Sequence, residues 1–178
     1  MHPRSFIFQL AALCAAPLLA FATESASLDS NLEPLRPWLG KTWKSDAAEG
    51  SEKPKIDVSR WERALNGKAV RILHSINDGE YGGETIVTWD PARKSVVYHY
   101  FTTAGFTTNG TMTFDGGKVI TNEKVSGNAN GVTEVRGTGE IGGDGTFRMK
   151  TEYLKNDKWQ PGRDATYRVD AAATVIFK

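Results

Sequence analysis

His74, Tyr98, Tyr100 and Glu123 are the side chains of this sequence best suited to handling protons or a polar ligand, provided that they share one side of the fold. An imidazole and a carboxyl group can exchange protons at mild pH, and phenols can donate or accept hydrogen bonds beside them. Successive residues of a strand point to opposite faces, so in "YHYFTTAGFTTNG", 98–110, either His99 or the tyrosine pair Tyr98 and Tyr100 looks inward.

Turn chemistry decides between them. Asn66-Gly67 suits a tight hairpin that sets Leu65 against Lys68, Arg63 against Val70, Trp61 against Ile72 and Ser59 against His74. Asp78-Gly79 then sets His74 against Gly83, Ile72 against Thr85 and Val70 against Val87. Across Asp90-Pro91-Ala92-Arg93, pairing Trp89 with Lys94 places Val87 beside Val96, Thr85 beside Tyr98 and Gly83 beside Tyr100. In the opening stretch a Thr-Ala-Gly loop needs a positive φ only of Gly105, and it pairs Tyr100 with Thr108 and Tyr98 with Gly110, the glycine leaving room for a ring. Both routes turn the tyrosines inward and His99 outward. Asp144-Gly145 pairs Ile141 with Phe147 and Val135 with Tyr153 inside, and sets Glu140 against Arg148 and Arg136 against Glu152 outside. The expected interior ligand-binding set is Trp61, Arg63, His74, Thr85, Trp89, Tyr98, Tyr100, Thr108, Glu123 and Tyr153.

The elements that must position these residues are antiparallel hairpins. From Lys55 to Phe177 short segments rich in Val, Ile, Thr and aromatics alternate with Gly, Asn, Asp and Pro turn signals. "DSNLEPLRPWLG" is the one helix candidate, with Asp29 or Ser30 as N-cap and Pro37 limiting its length. About ten strands without a helical layer must cover their own apolar face. An all-β, antiparallel up-and-down barrel does so and leaves no open edge.

Residues 1–22 read as a cleaved signal peptide: Arg4 precedes the apolar run "FIFQLAALCAAPLLAFA", which ends in Ala20-Phe21-Ala22. The expected mature chain, 23–178, forms one domain and is periplasmic or secreted, with no integral membrane segment. Cys14 lies inside the signal, so no disulfide forms, and the balance of charge offers no basic field for nucleic acid.

Reactive motifs are scarce. No metal site is expected, because the inward face supplies His74 with at most Glu123. Gly40-Lys41-Thr42 has Leu35 where a phosphate loop needs its first glycine. Serine, zinc and cysteine hydrolysis each lack their central residue. Acid–base work by His74 with Tyr100 and Glu123 is the remaining catalytic option, against an ordinary buried histidine as the plainer account. No cofactor is expected.

The segments "GKTW" at 40–43, "RWERALNGKAV", "WDPARKSVVYHY" and the hairpins after them resemble a group of exported bacterial lipocalin-like proteins of the calycin superfamily. The resemblance implies a barrel whose interior holds a small, often hydrophobic molecule. It also implies a Gly-x-Trp closure with a late arginine on the tryptophan; here the spacing is one residue longer, Gly40 to Trp43, with Arg168 as the partner. Some small bacterial barrels bind haem through a late histidine, and none follows His99.

A barrel built only for stability would fill with Leu and Ile, whereas unpaired polar groups inside cost about 1 to 3 kcal/mol each. The interior set therefore points to a ligand with an apolar body and a polar or acidic head, or to a network that pairs with itself. The alternatives are an isomerase- or cyclase-type enzyme using His74 and tyrosines, and a structural or partner-binding envelope protein. With His74 inside and His99 outside, His99→Gln should change stability by less than about 0.5 kcal/mol, while His74→Ala should cost about 1 to 3 kcal/mol. Denaturant midpoints check both, and the opposite ranking would invert the register.

Overall fold

In the computed structural model, which describes residues 27–47 and 55–178, ten antiparallel strands close into a barrel. They are β1 (Lys41–Ser45), β2 (Asp57–Ala64), β3 (Ala69–Ile76), β4 (Tyr81–Asp90), β5 (Ser95–Thr102), β6 (Thr107–Asp115), β7 (Lys118–Ala129), β8 (Val132–Ile141), β9 (Phe147–Lys155) and β10 (Lys158–Val169). Each strand pairs with its neighbours in sequence, and β1 pairs with β10 through Trp43 and Val169 to close the circle. The proposed signal segment lies outside the described residues.

The turn arithmetic holds over most of the barrel. Ser59 faces His74, His74 faces Gly83, Tyr98 faces Gly110, Tyr100 faces Thr108 and Val135 faces Tyr153. One hairpin differs. Asp90 pairs with Ser95, so Thr85 lies opposite Tyr100 and Val87 opposite Tyr98, two residues from the expected register. The Asp90 carboxylate accepts the backbone N–H groups of Ala92 and Arg93, and Lys94 takes a positive φ, which makes residues 91–94 the loop. A shift of two preserves the face of every side chain, so the tyrosines stay inside and His99 is exposed.

Two local details also differ. Tyr100 leans over Gly83, where an added Cβ would collide with its ring and with the Phe101 carbonyl oxygen. At Gly110 a Cβ would meet the β7 backbone at Asn122 and the Cβ of Glu123, so this glycine admits a close β6–β7 approach rather than a ring. Outside, Arg136 pairs with Glu152 at 2.6 Å as expected, whereas Arg148 turns to Asp144 and Glu140 to Lys118.

The N-terminal helix is a 3₁₀ helix, Glu33–Trp38, without a side-chain cap. Asp29 instead accepts the Asn31 backbone N–H in the preceding turn. Pro34 suits the first turn, where no intrahelical donor is needed, whereas Pro37 removes a donor inside the segment and confines it to a short tight helix. Leu32, Leu35 and Trp38 bury themselves in one end of the barrel against Trp43, Trp61, Val70, Val87 and Phe147. Phe147 stands edge-on to Trp38, Trp43 and Trp61 and stacks on Tyr167 at 5.1 Å. This aromatic floor closes that end.

Arg168 does not serve the floor. Its side chain points outward, is exposed and faces Asp46 at 3.7 Å, because it neighbours an inward Tyr167 on the same strand. The cation over the Trp43 ring is Lys41, 5.4 Å from its centroid. Trp43 itself is buried and donates its indole N–H to the Trp38 carbonyl at 3.3 Å. Since Phe147 joins four aromatic neighbours, Phe147→Ala should lower stability by about 3 to 5 kcal/mol, while Arg168→Ala should stay within about 0.5 kcal/mol; urea titration of both variants checks the contrast.

Candidate functional site

Above the floor the barrel encloses a cavity of about 1200 Å³. Its lower wall is apolar, with Trp61, Ile72, Met112, Val119, Phe147 and Met149. Higher up the wall becomes polar through Asp57, His74, Tyr81, Tyr98, Tyr100, Thr108, Glu123, Tyr153, Arg163 and Tyr167. Asp46, Glu80, Asn130 and Asp164 belong to the same lining and are exposed, so the cavity opens to solvent at the end away from the helix.

Most of the polar wall forms one hydrogen-bonded chain. Asp57 begins β2 and faces inward, where Tyr167 donates its hydroxyl to one carboxylate oxygen at 2.8 Å and His74 Nδ1 lies 3.1 Å from the other. A carboxylate only accepts, so His74 carries a proton on Nδ1, and in the neutral imidazole Nε2 presents its lone pair. Tyr100 fills that position at 2.7 Å, and with the imidazole neutral it donates to Nε2 and accepts in turn from the Tyr81 hydroxyl, 2.8 Å away. The chain therefore ends at Tyr81 with acceptor lone pairs facing the cavity. Behind Asp57, Arg163 donates to Tyr167 Oη and Ser45 Oγ, each at 3.1 Å, and lies 3.9 Å from the carboxylate.

Electrostatics separates the two buried carboxyl groups. Burial by itself would raise Asp57, but the hydrogen bond from His74, the charge that His74 carries when protonated, the Arg163 charge and the Tyr167 hydroxyl outweigh it and hold the carboxyl below its ordinary 3.8. Glu123 has no such company. Burial pushes it above its ordinary 4.5, opposed only by hydrogen bonds from Thr108 and Tyr98. Burial likewise pushes the Tyr98, Tyr100 and Tyr167 phenols far upward, so these hydroxyls stay protonated.

Of the expected interior residues, Trp61, His74, Thr85, Tyr98, Tyr100, Thr108, Glu123 and Tyr153 line this one cavity. Two do not. Arg63 ends up exposed at the floor end, donating to the Ser27 carbonyl beside Gly67, because it lies next to the β2–β3 turn and beyond the aromatic floor. Trp89 packs from the same end against the core and stays out of the cavity. Asp57, Tyr81, Arg163 and Tyr167 complete the site and were absent from the expected set. Extending the Asn66-Gly67 register by one more inward step reaches Asp57, opposite Ile76, and Tyr81 lies opposite the same Ile76. No such count reaches Arg163 and Tyr167, which depend on a register shift between Pro161 and Asp164.

Two buried indole N–H groups, of Trp38 and Trp61, have no hydrogen-bond partner among the described residues. Both rings stand nearly perpendicular to Phe147. Among the described residues no group of three or more His, Cys, Asp or Glu side chains could hold a metal ion, and no helix is long and apolar enough to cross a membrane.

A closed antiparallel barrel of ten strands, plugged at one end by a short N-terminal helix and hollow above it, is of the calycin, lipocalin-like fold class. No family model and no curated protein matches the sequence, so the assignment rests on the architecture.

The opposed shifts of the two carboxyl groups predict opposed pH dependences. Asp57, held low, contributes stability that is present above 3.8 and is lost as pH falls through its folded value. Glu123, held high, contributes stability that is present below 4.5 and is lost as pH rises through its folded value. Glu123→Gln should therefore match the wild type in acid and exceed it at pH 8. Asp57→Ala, which strands Arg163, should lose about 3 to 5 kcal/mol near neutrality and less in acid. Thermal denaturation of both variants from pH 2 to pH 8 checks these opposite trends.

Proposed function

We propose that this protein is an exported carrier or receptor for a small hydrophobic or amphipathic molecule, held inside the barrel with its polar end at the tyrosine–histidine network. The observation that carries the proposal is the cavity itself. Its volume of about 1200 Å³ slightly exceeds that of ordinary ligand pockets, and its wall grades from an aromatic floor to a band of converging hydroxyls. Trp61, Ile72, Met112 and Phe147 would take the apolar body, while Tyr81, Tyr100 and Glu123 would take the head. Among the described residues, exposed lining side chains mark the end away from the helix as the entry.

One arrangement favours a second reading, acid–base catalysis: Asp57 orients His74 as an acid orients a catalytic imidazole. However, His74 Nε2 is capped by Tyr100, so a bound molecule would exchange protons with a phenol that burial makes a weak acid. An effective acid or base has a pKa near the working pH. The network is thus better suited to holding a polar group than to moving its protons, and binding is the preferred reading.

Export is the accompanying proposal, supported by the Arg4-led apolar run and its Ala20-Phe21-Ala22 end. Expression in a bacterial host followed by cell fractionation and intact-mass measurement should find the chain outside the cytoplasm and beginning near Thr23. Native mass spectrometry of the same material should show a small-molecule adduct that denaturation releases. A bare chain that also fails to take up a neutral fluorescent apolar probe would count against the carrier reading.

A further inference from the structure

The charges that line the cavity are unequal. Among the described lining residues five carboxyl groups face only two full cations, Lys55 and Arg163. Arg163 is already committed: its donors go to Tyr167, Ser45 and the Lys55 carbonyl, and its charge lies beside Asp57. Lys55 is exposed at the rim, where water screens it, and Arg63 sits at the opposite end. Among the described lining residues the cation that stands inside, Arg163, is thus engaged by the protein's own groups and not directed at an anionic head.

Glu123 stands apart from the other carboxyl groups. Asp57 has Arg163 and His74, and the remaining three are exposed at the rim. Glu123 accepts the Thr108 hydroxyl and has Tyr98 against it, and no Lys, Arg or His among the described residues contacts it. An ionised carboxylate offers about four lone-pair directions, so two neutral hydroxyls leave half of them open. Folding has also stripped much of the water from this group. An arriving cation gains the Coulomb attraction without the protein having to desolvate its own partner again.

We infer that the polar end of the molecule held in the barrel is a protonated amine seated on the Glu123 carboxylate, with its apolar body against Ile72, Met112 and Phe147. The inference rests on the carrier reading above and narrows its ligand class. A fatty-acid-like head would meet Glu123 as a like charge. An alcohol would add one hydrogen bond and no charge pairing.

The test uses the purified full chain and displacement of N-phenyl-1-naphthylamine, an apolar fluorescent probe that is uncharged at pH 8. Dodecylamine, dodecanol and dodecanoate share one tail and differ only in the head. Dodecylamine should displace the probe at a concentration lower than dodecanoate by about tenfold or more, the size of one charge-assisted hydrogen bond, with dodecanol between them. Glu123→Gln, checked for its fold by circular dichroism, should erase most of the amine's advantage over dodecanol and dodecanoate. The comparison of heads on the unaltered chain stands even where that variant does not fold. Dodecanoate binding as tightly as dodecylamine, or an amine preference that survives Glu123→Gln, would overturn the assignment while leaving the carrier reading intact. A probe that does not bind, together with no heat on direct calorimetric titration of dodecylamine, would overturn both.

Discussion

The arrangement on which the interior depends is the buried charge of Asp57. A carboxylate removed from water is tolerated only when donors surround it, and here they come from both sides of the barrel seam: His74 on β3, and Tyr167 and Arg163 on β10. Asp57 sits on β2, so the same group ties the early strands to the last one across β1. Ser45 on β1 joins in, accepting from Arg163 and from the Asp57 backbone N–H. Closure of the barrel and orientation of His74 are therefore one event rather than two.

From that anchor the polarity of the cavity follows. Asp57 keeps a proton on His74 Nδ1, and with the imidazole neutral this turns the Tyr100 hydroxyl to Nε2 and the Tyr81 hydroxyl to Tyr100. Every tyrosine of this chain of bonds is held neutral by burial, so the wall presents oriented dipoles and not labile protons. Glu123, across the cavity, is the unpaired member. The division of labour between a paired carboxylate that builds and an unpaired one that faces the interior is a matter of where Arg163 lies.

The floor does the complementary work. Trp38, Trp43, Trp61, Phe147 and Tyr167 fill the end beside the 3₁₀ helix with interlocking rings, which keeps apolar bulk at the bottom and leaves the space above it open. The expected arginine over Trp43 is replaced by Lys41, and Arg63 is displaced below the floor. Both changes withdraw a guanidinium from the neighbourhood of the interior. Arg163 enters instead, from a strand where no turn count could place it.

Local chemistry in the sequence determined the strand count, the barrel class, the inward direction of His74, Tyr98, Tyr100 and Glu123, and the outward direction of His99. It did so because strand faces alternate with a period of two, so that a pairing error of two residues at Asp90–Ser95 moved partners without exchanging faces. The alternation could equally have reached Asp57 and Tyr81, by extending the same ladder. It could not reach Tyr167 and Arg163. Lys158 pairs with Lys155 as a simple hairpin requires, but the irregularity between Pro161 and Asp164 adds one residue, and one residue reverses every face beyond it. Nor does alternation say how deep a side chain lies, which is why Arg63 and Trp89, correctly counted along their strands, fall below the floor and outside the cavity. Depth, closure and the company a buried charge keeps are set by strands far apart in the chain, and only the folded barrel brings those together.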